Sequence, residues 1–157
     1  MAFLVSISFA HAAPGKDYVV DPAHVQNVYD GDTFYIVVPE CAELLSTLCD
    51  HLGVRVNGID TPEMHGKCQW ERDHALAAKA VTVAMIKNAK SIVLTHVERE
   101  KYGRLLANVE IDGVDLGAAL INGGYAKEYH GAARTGWCKK RTTVASAPAP
   151  LPMKTAP

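Results

Sequence analysis

The clearest periodicity in the chain lies between Glu71 and Lys90, where Leu76, Ala80, Val83 and Ile86 recur at spacings of four, three and three. That rhythm is helical. It predicts an amphipathic helix with those four side chains on one inward face and Arg72, Lys79 and Lys87 mostly off it. Upstream the pattern is that of strands. Val25–Val38, "VQNVYDGDTFYIVV", sets β-branched and aromatic residues on both sides of Asp-Gly-Asp and reads as two extended runs about a turn. Gly53–Ile59 reads as a third strand. It runs into Asp60-Thr61-Pro62-Glu63, where Pro62 is barred from a strand interior and turns Thr61 away from helix. After the helix, Ser91–Val97 is a strand, and Leu105–Ile111, Asp112-Gly113 and Val114 form a hairpin with a favoured turn dipeptide. Asp115 is placed to cap a short helix with Leu116, Ala119 and Leu120 inward, stopped by Asn122-Gly123-Gly124.

The order is three strands, a helix, two strands and a helix. A five-stranded, partly open barrel with helices on it satisfies that order, so the expected class is α+β, mainly β, of the OB-fold type. Composition alone leaves other small α+β folds open.

Three stretches lie outside this pattern. Pro39–Leu52 is an insertion whose "AELLSTL" suits one or two helical turns. The tail after Trp137-Cys138 is rich in Pro, Ala and Thr without a period, and residues 141–157 are expected to be disordered. Its Lys139-Lys140-Arg141 cluster is a solvated end with weak attraction for polyanions. At the other end, Phe3–Ala10 is an apolar run far too short to span a bilayer, followed by "AHA" and "APG". Small residues after a short apolar segment are the pattern of a signal peptide, here residues 1–13 with cleavage near Ala12 or Ala13. The alternative is a buried first strand. Export would make the protein periplasmic or secreted and leave one domain over 14–140, a common domain size.

With 48% apolar and 21% charged residues the chain has an ordinary globular composition, and its formal net charge is −1. No overall positive field attracts a polyanion, so an anionic substrate must be held by local charge. The four cysteines, Cys41, Cys49, Cys68 and Cys138, allow three pairings, and in an exported protein disulfides are expected. A Cys41–Cys49 bridge closing the insertion is one, which would leave Cys68 and Cys138 to tie the segment after the turn to the domain's end. Zinc is the rival, with His51 and His65 near Cys49 and Cys68, although the spacings match no familiar zinc motif.

Five polar residues remain: Asp32, Arg55, Asp60, Glu63 and Arg104. Each alone has a plain reading as turn chemistry or a solvated side chain. Together they hold the parts of phosphodiester hydrolysis. Asp32 and Asp60, from separate turns, are hard oxygen ligands of the kind Ca²⁺ or Mg²⁺ takes, and the Thr61 carbonyl can add to them. Arg55 and Arg104 offer planar forks that suit phosphate. Glu63, beside Asp60, can take a proton from water.

"YDGDTFYIVV", "RVNGIDTPE" and "EKYGRLLANVEIDG", in this order and register, resemble the staphylococcal nuclease (thermonuclease) family over about Val25 to Tyr129. The resemblance implies an OB barrel with flanking helices and a nuclease acting on DNA and RNA, preferably single-stranded, with little sequence preference and 3′-phosphate products. Position by position it implies Asp32, Asp60 and Thr61 as Ca²⁺ ligands. It implies Glu63 as the residue that activates water, and Arg55 and Arg104 as the groups that bind and stabilise the phosphate. Lys101 and Tyr102 match positions that touch a second phosphate. "WC" after a basic loop, with Cys68 after the DTPE motif, resembles exported bacterial members and implies a Cys68–Cys138 disulfide.

The cysteine-bearing insertion is longer than the family pattern, and past Tyr125 the chain departs from it. Tyr129 and His130 are therefore left as candidates for stacking on a base. A monomer is expected. Two other readings compete with the enzyme: a non-catalytic nucleic-acid-binding module on the same fold, and an exported domain whose acidic turns bind Ca²⁺ for stability alone.

Overall fold

The computed structural model describes residues 17–39, 49–100 and 102–138. The expected signal peptide, most of the insertion with Cys41, Lys101 and the tail lie outside the described residues.

Strand β1 (Tyr18–Val20) and strand β2 (Val25–Val28) are separated by a 3₁₀ turn, Pro22–His24. Asp21 opens that turn by accepting the Ala23 N–H at 2.8 Å, with Pro22 at its first position. Strands β3 (Thr33–Ile36) and β4 (Leu52–Val56) follow, then a short β5 (Ile59–Asp60), helix α1 (Gln69–Lys87), β6 (Ile92–Arg99) and β7 (Leu105–Ile111). Strand β8 (Val114–Asp115), helix α2 (Leu116–Asn122) and β9 (Lys127–Glu128) complete the described chain.

The main sheet runs β1-β6-β7-β4-β3-β2, with β8 on β7. Because β1 and β2 are one stretch of chain bent at the Pro22 turn, the two ends of that path are joined covalently. The sheet therefore curls back on itself, and counting β1 with β2 gives the five strands of an OB barrel. All ladders in it are antiparallel except β4 with β7, which is parallel. Alternation supplies the lining: Phe34, Val54, Val56, Ile92, Leu94 and Val109 are almost wholly inaccessible, and Leu116, Leu120 and Tyr125 close one end from α2 and the turn after it. The Asp112-Gly113 turn forms as expected, both residues at positive φ (50° and 78°). Asp115 caps α2 by accepting the Ala118 N–H at 2.6 Å.

Two expectations need correction. The third strand stops at Val56, and Asn57-Gly58 turns the chain with Gly58 at φ 77°. Ile59–Asp60 then leaves the barrel and pairs with β9 in a separate two-stranded ribbon. Helix α1 also presents the opposite face from the one its large apolar residues suggest. Leu76 is 56% exposed and Val83 38%, Ala80 is exposed, and of the four predicted only Ile86 is buried. The inward residues are Glu71, His74, Ala75, Ala78, Val81, Thr82 and Ile86. The reason is distance. A Cβ placed on Gly31, between Asp30 and Asp32, would sit 2.8 Å from both Ala78 Cβ and Thr61 Cγ2, so only small residues fit there. Thr82 Oγ1 donates to the Gly31 carbonyl at 2.7 Å and fixes the helix against that turn.

Candidate active site

The site begins at the turn between β2 and β3. The N–H groups of Tyr29 and Asp30 both reach the Thr33 carbonyl, at 2.8 and 3.3 Å, and Asp30 Oδ1 accepts the Asp32 N–H at 3.1 Å. This directs Asp32, only 2% exposed, under the neighbouring strand. A buried carboxylate needs partners, and Asp32 has three. Oδ1 takes Arg55 Nη1 at 2.6 Å and Thr33 Oγ1 at 2.9 Å, and Oδ2 accepts the Thr61 N–H at 3.2 Å. Arg55 stands opposite Thr33 in the β3–β4 ladder, and its Nη2 donates to the Ile59 carbonyl at 3.1 Å. One guanidinium thus ties the first acidic turn to the corner that carries Asp60, Thr61 and Glu63.

Asp60 is 5% exposed and Thr61 3%, whereas the Glu63 side chain is about half exposed at 46%. The remaining partners come from the end of the domain. Trp137 Nε1 donates to Asp60 Oδ2 at 3.2 Å. Arg134 Nε lies 3.2 Å from Asp60 Oδ1, and Arg134 Nη1 donates to Glu63 Oε1. The Asp60 Oδ1 contact is an ion pair without hydrogen-bond alignment, so among the described residues that buried oxygen has no hydrogen-bond partner. The Cys68–Cys138 disulfide, Cα to Cα 5.9 Å, brings this segment to the site as expected. Cys49 is also disulfide-bonded.

Arg104 is paired with Glu100. Its Nε and Nη2 bind Glu100 Oε2 at 2.8 and 2.7 Å, and its stem covers Gly53, where an added Cβ would be 2.9 Å from Arg104 Cγ. Gly53 and Arg55 are two apart on β4 and so share a face, which puts Arg104 beside Arg55 along the strand. Tyr102 is 72% exposed. Tyr129 is half-buried, its N–H bonded to the Gly58 carbonyl at 2.8 Å, and His130 is exposed.

Three residues here escape a reading of the sequence: Asp30, Arg134 and Trp137. Asp30 reads there as half of a hairpin tip, yet burial, and then Asp32 and Glu63 nearby, push its carboxyl up to about 7. Partial burial opposes the charge of Arg134, but Asp60 and Glu63 outweigh it and hold the guanidinium above its ordinary value. The only hint for Arg134 and Trp137 is their closeness to Cys138.

The zinc alternative does not fit the cysteines. Cys68, Glu71 and Cys138 place ligating atoms within 4.8 Å of one another, but both sulfurs are in the disulfide and offer no thiolate. Glu71 Oε2 instead accepts the Lys67 N–H at 2.9 Å, and His51 stacks on Tyr35 with ring centroids 4.0 Å apart.

Residues 53–147, more than half of the chain, match the family model described as staphylococcal nuclease homologue. No curated protein matches. The matched range takes in Arg55, Asp60, Glu63, Arg104 and Arg134 but begins after Asp32, whose place in the site rests on its bonds to Arg55 and Thr61.

Proposed function

Because this chain belongs to the staphylococcal nuclease homologue family, we propose that it is a Ca²⁺-dependent nuclease acting on DNA and RNA, preferably single-stranded, with little sequence preference and 3′-phosphate products. The family supports a nuclease-type function in general. The observation that carries the finer reading is the joining of two acidic turns by one buried arginine, Asp32–Arg55–Ile59, with Thr61 closing the link.

The donor set suits a hard cation. Asp32 and Asp60 offer carboxylate oxygens, Asp60 Oδ1 is buried without a hydrogen bond among the described residues, and Thr61, buried in the same corner, can add its carbonyl. These three residues would hold the ion, which when bound supplies Lewis-acid polarisation of a phosphoryl oxygen. The chain supplies the rest. Glu63, half exposed beside Asp60, takes the proton of the attacking water. Arg55, held flat by Asp32 and Ile59, presents a fixed fork to the phosphate. Arg104 joins it by leaving Glu100, a pair whose side chains are 28% and 22% exposed. Tyr102, exposed just before Arg104, meets a neighbouring phosphate together with Lys101, which lies outside the described residues.

The protein acts as a monomer outside the cytoplasm, after loss of residues 1–13. The Cys68–Cys138 disulfide supports that compartment. The test is to incubate purified protein with single-stranded DNA and RNA, with Ca²⁺ or chelator, and to identify the product ends. Ca²⁺-dependent cleavage with 3′-phosphate ends is expected. Binding without turnover in millimolar Ca²⁺ would overturn it in favour of a binding module.

A further inference from the structure

Tyr129–Cys138 crosses the acidic corner and is pinned at both ends. At one end β9 pairs with β5, and the Tyr129 N–H bonds the Gly58 carbonyl at 2.8 Å. At the other, Cys138 is bonded to Cys68, and the Trp137 ring lies under the Lys127 ammonium, 3.7 Å from its centroid. Arg134 sits in the arc between. Its guanidinium lies on Asp60 Oδ1 and Glu63 Oε1, the oxygens of a metal ligand and a base in the reading above.

We propose that Arg134 is the resident cation of this site: it holds Asp60 and Glu63 in the metal-free protein and must leave before a divalent ion binds. The inference rests on the proposed metal role of Asp60. Two observations on Asp60 Oδ1 carry it. The oxygen is buried, so it needs a positive partner, and Arg134 meets it as a charge without hydrogen-bond alignment. Arg134 neutralises that oxygen without coordinating it, which leaves it open to a cation that does. An ion coordinated at about 2.3–2.6 Å to the oxygen that Arg134 Nε meets at 3.2 Å repels that guanidinium, and Arg134, unlike the buried Arg55 on Asp32, has solvent to move into. The Asp60 side chain is 6% exposed but that of Arg134 is 45% exposed, so Arg134 can move into solvent once an ion supplies the positive charge that Asp60 needs. Ion entry then swaps one cation for another and never leaves the buried carboxylate bare. The apparent ion affinity is lowered by the fraction of molecules in which Arg134 is seated.

The test uses the full chain with its disulfide intact. Ca²⁺ is titrated by calorimetry and Tb³⁺ by tryptophan-sensitised luminescence into the parent protein, Arg134→Gln, Arg134→Lys and Asp60→Asn. Arg134→Gln is expected to bind both ions about tenfold more tightly, with Arg134→Lys, which keeps a charge, within about threefold of the parent. Equal or weaker binding by Arg134→Gln, with the parent binding normally and Asp60→Asn impaired, overturns the resident-cation role and leaves the metal site standing. No binding by either the parent or Arg134→Gln, or unimpaired binding by Asp60→Asn, overturns the metal reading of Asp60 and this inference with it.

Discussion

Arg55 and Asp32 form a buried ion pair, Nη1 to Oδ1 at 2.6 Å, that fastens β4 to the turn between β2 and β3. Both side chains are less than a tenth exposed, so each is desolvated and depends on the other. Replacing Arg55 with Ala strands a buried carboxylate and is expected to cost about 3–5 kcal/mol of stability, as well as activity. Urea unfolding with chelator present measures it. A loss under about 1 kcal/mol would mean that Asp32 is reached by water or protonated instead.

Glu63 predicts the opposite division between stability and rate. Its carboxylate is about half exposed and its ion pair with Arg134 is screened, so Glu63→Gln should leave the melting temperature nearly unchanged. Because its proposed role is that of the base, its replacement should still lower the cleavage rate by about 10²–10⁴-fold. Single-turnover cleavage of a labelled oligonucleotide at saturating Ca²⁺ separates the two. A rate within threefold of the parent would remove Glu63 from the chemistry.

The contrast between these residues explains what the sequence could show. Asp32, Arg55, Asp60 and Glu63 sit in turns and strand ends whose chemistry is local, so short motifs betray them. The barrel was legible for the same reason, since β3 is built of β-branched and aromatic residues beside Asp-Gly-Asp and the Asp112-Gly113 turn has a strong dipeptide. The face of α1 was not. Its inward residues approach Gly31 closely, and Ala75, Ala78 and Thr82 are small rather than strongly apolar. Arg134 was hidden because its partner Glu63 lies 71 residues away and the disulfide that joins their segments spans 70.

That disulfide should matter to stability. Closing a separation of 70 residues restrains the unfolded chain by about 4 kcal/mol in the chain-entropy description. Cys68→Ala with Cys138→Ala is expected to lower stability by about 2–4 kcal/mol, measured by urea unfolding under chelator. The double variant should also loosen Trp137, whose indole N–H otherwise bonds Asp60, and shift its fluorescence to the red. Unchanged stability would show that the Tyr129–Cys138 segment is held by β9 and the Lys127–Trp137 contact alone.

Asp30 gives the pH dependence. Burial, followed by Asp32 and Glu63, raises its carboxyl from 3.8 to about 7. An acid raised on folding binds its proton more tightly in the folded state, so the stability it contributes is complete below 3.8 and is lost as the pH rises through about 7. Above that, a charged carboxylate stays buried beside Asp32. Asp30→Asn keeps an acceptor for the Asp32 N–H and removes the charge. Without divalent ions the variant should match the parent near pH 4 and gain on it between about pH 4 and 7, by up to about 1.4 kcal/mol for each pH unit crossed. Past that range it should stay ahead by a few kcal/mol. Urea unfolding at pH 4, 5.5, 7 and 8.5 reads this difference directly, because the other carboxylates titrate in both proteins. Parallel curves would place the Asp30 carboxylate in solvent, with the Asp-Gly-Asp turn open on that side.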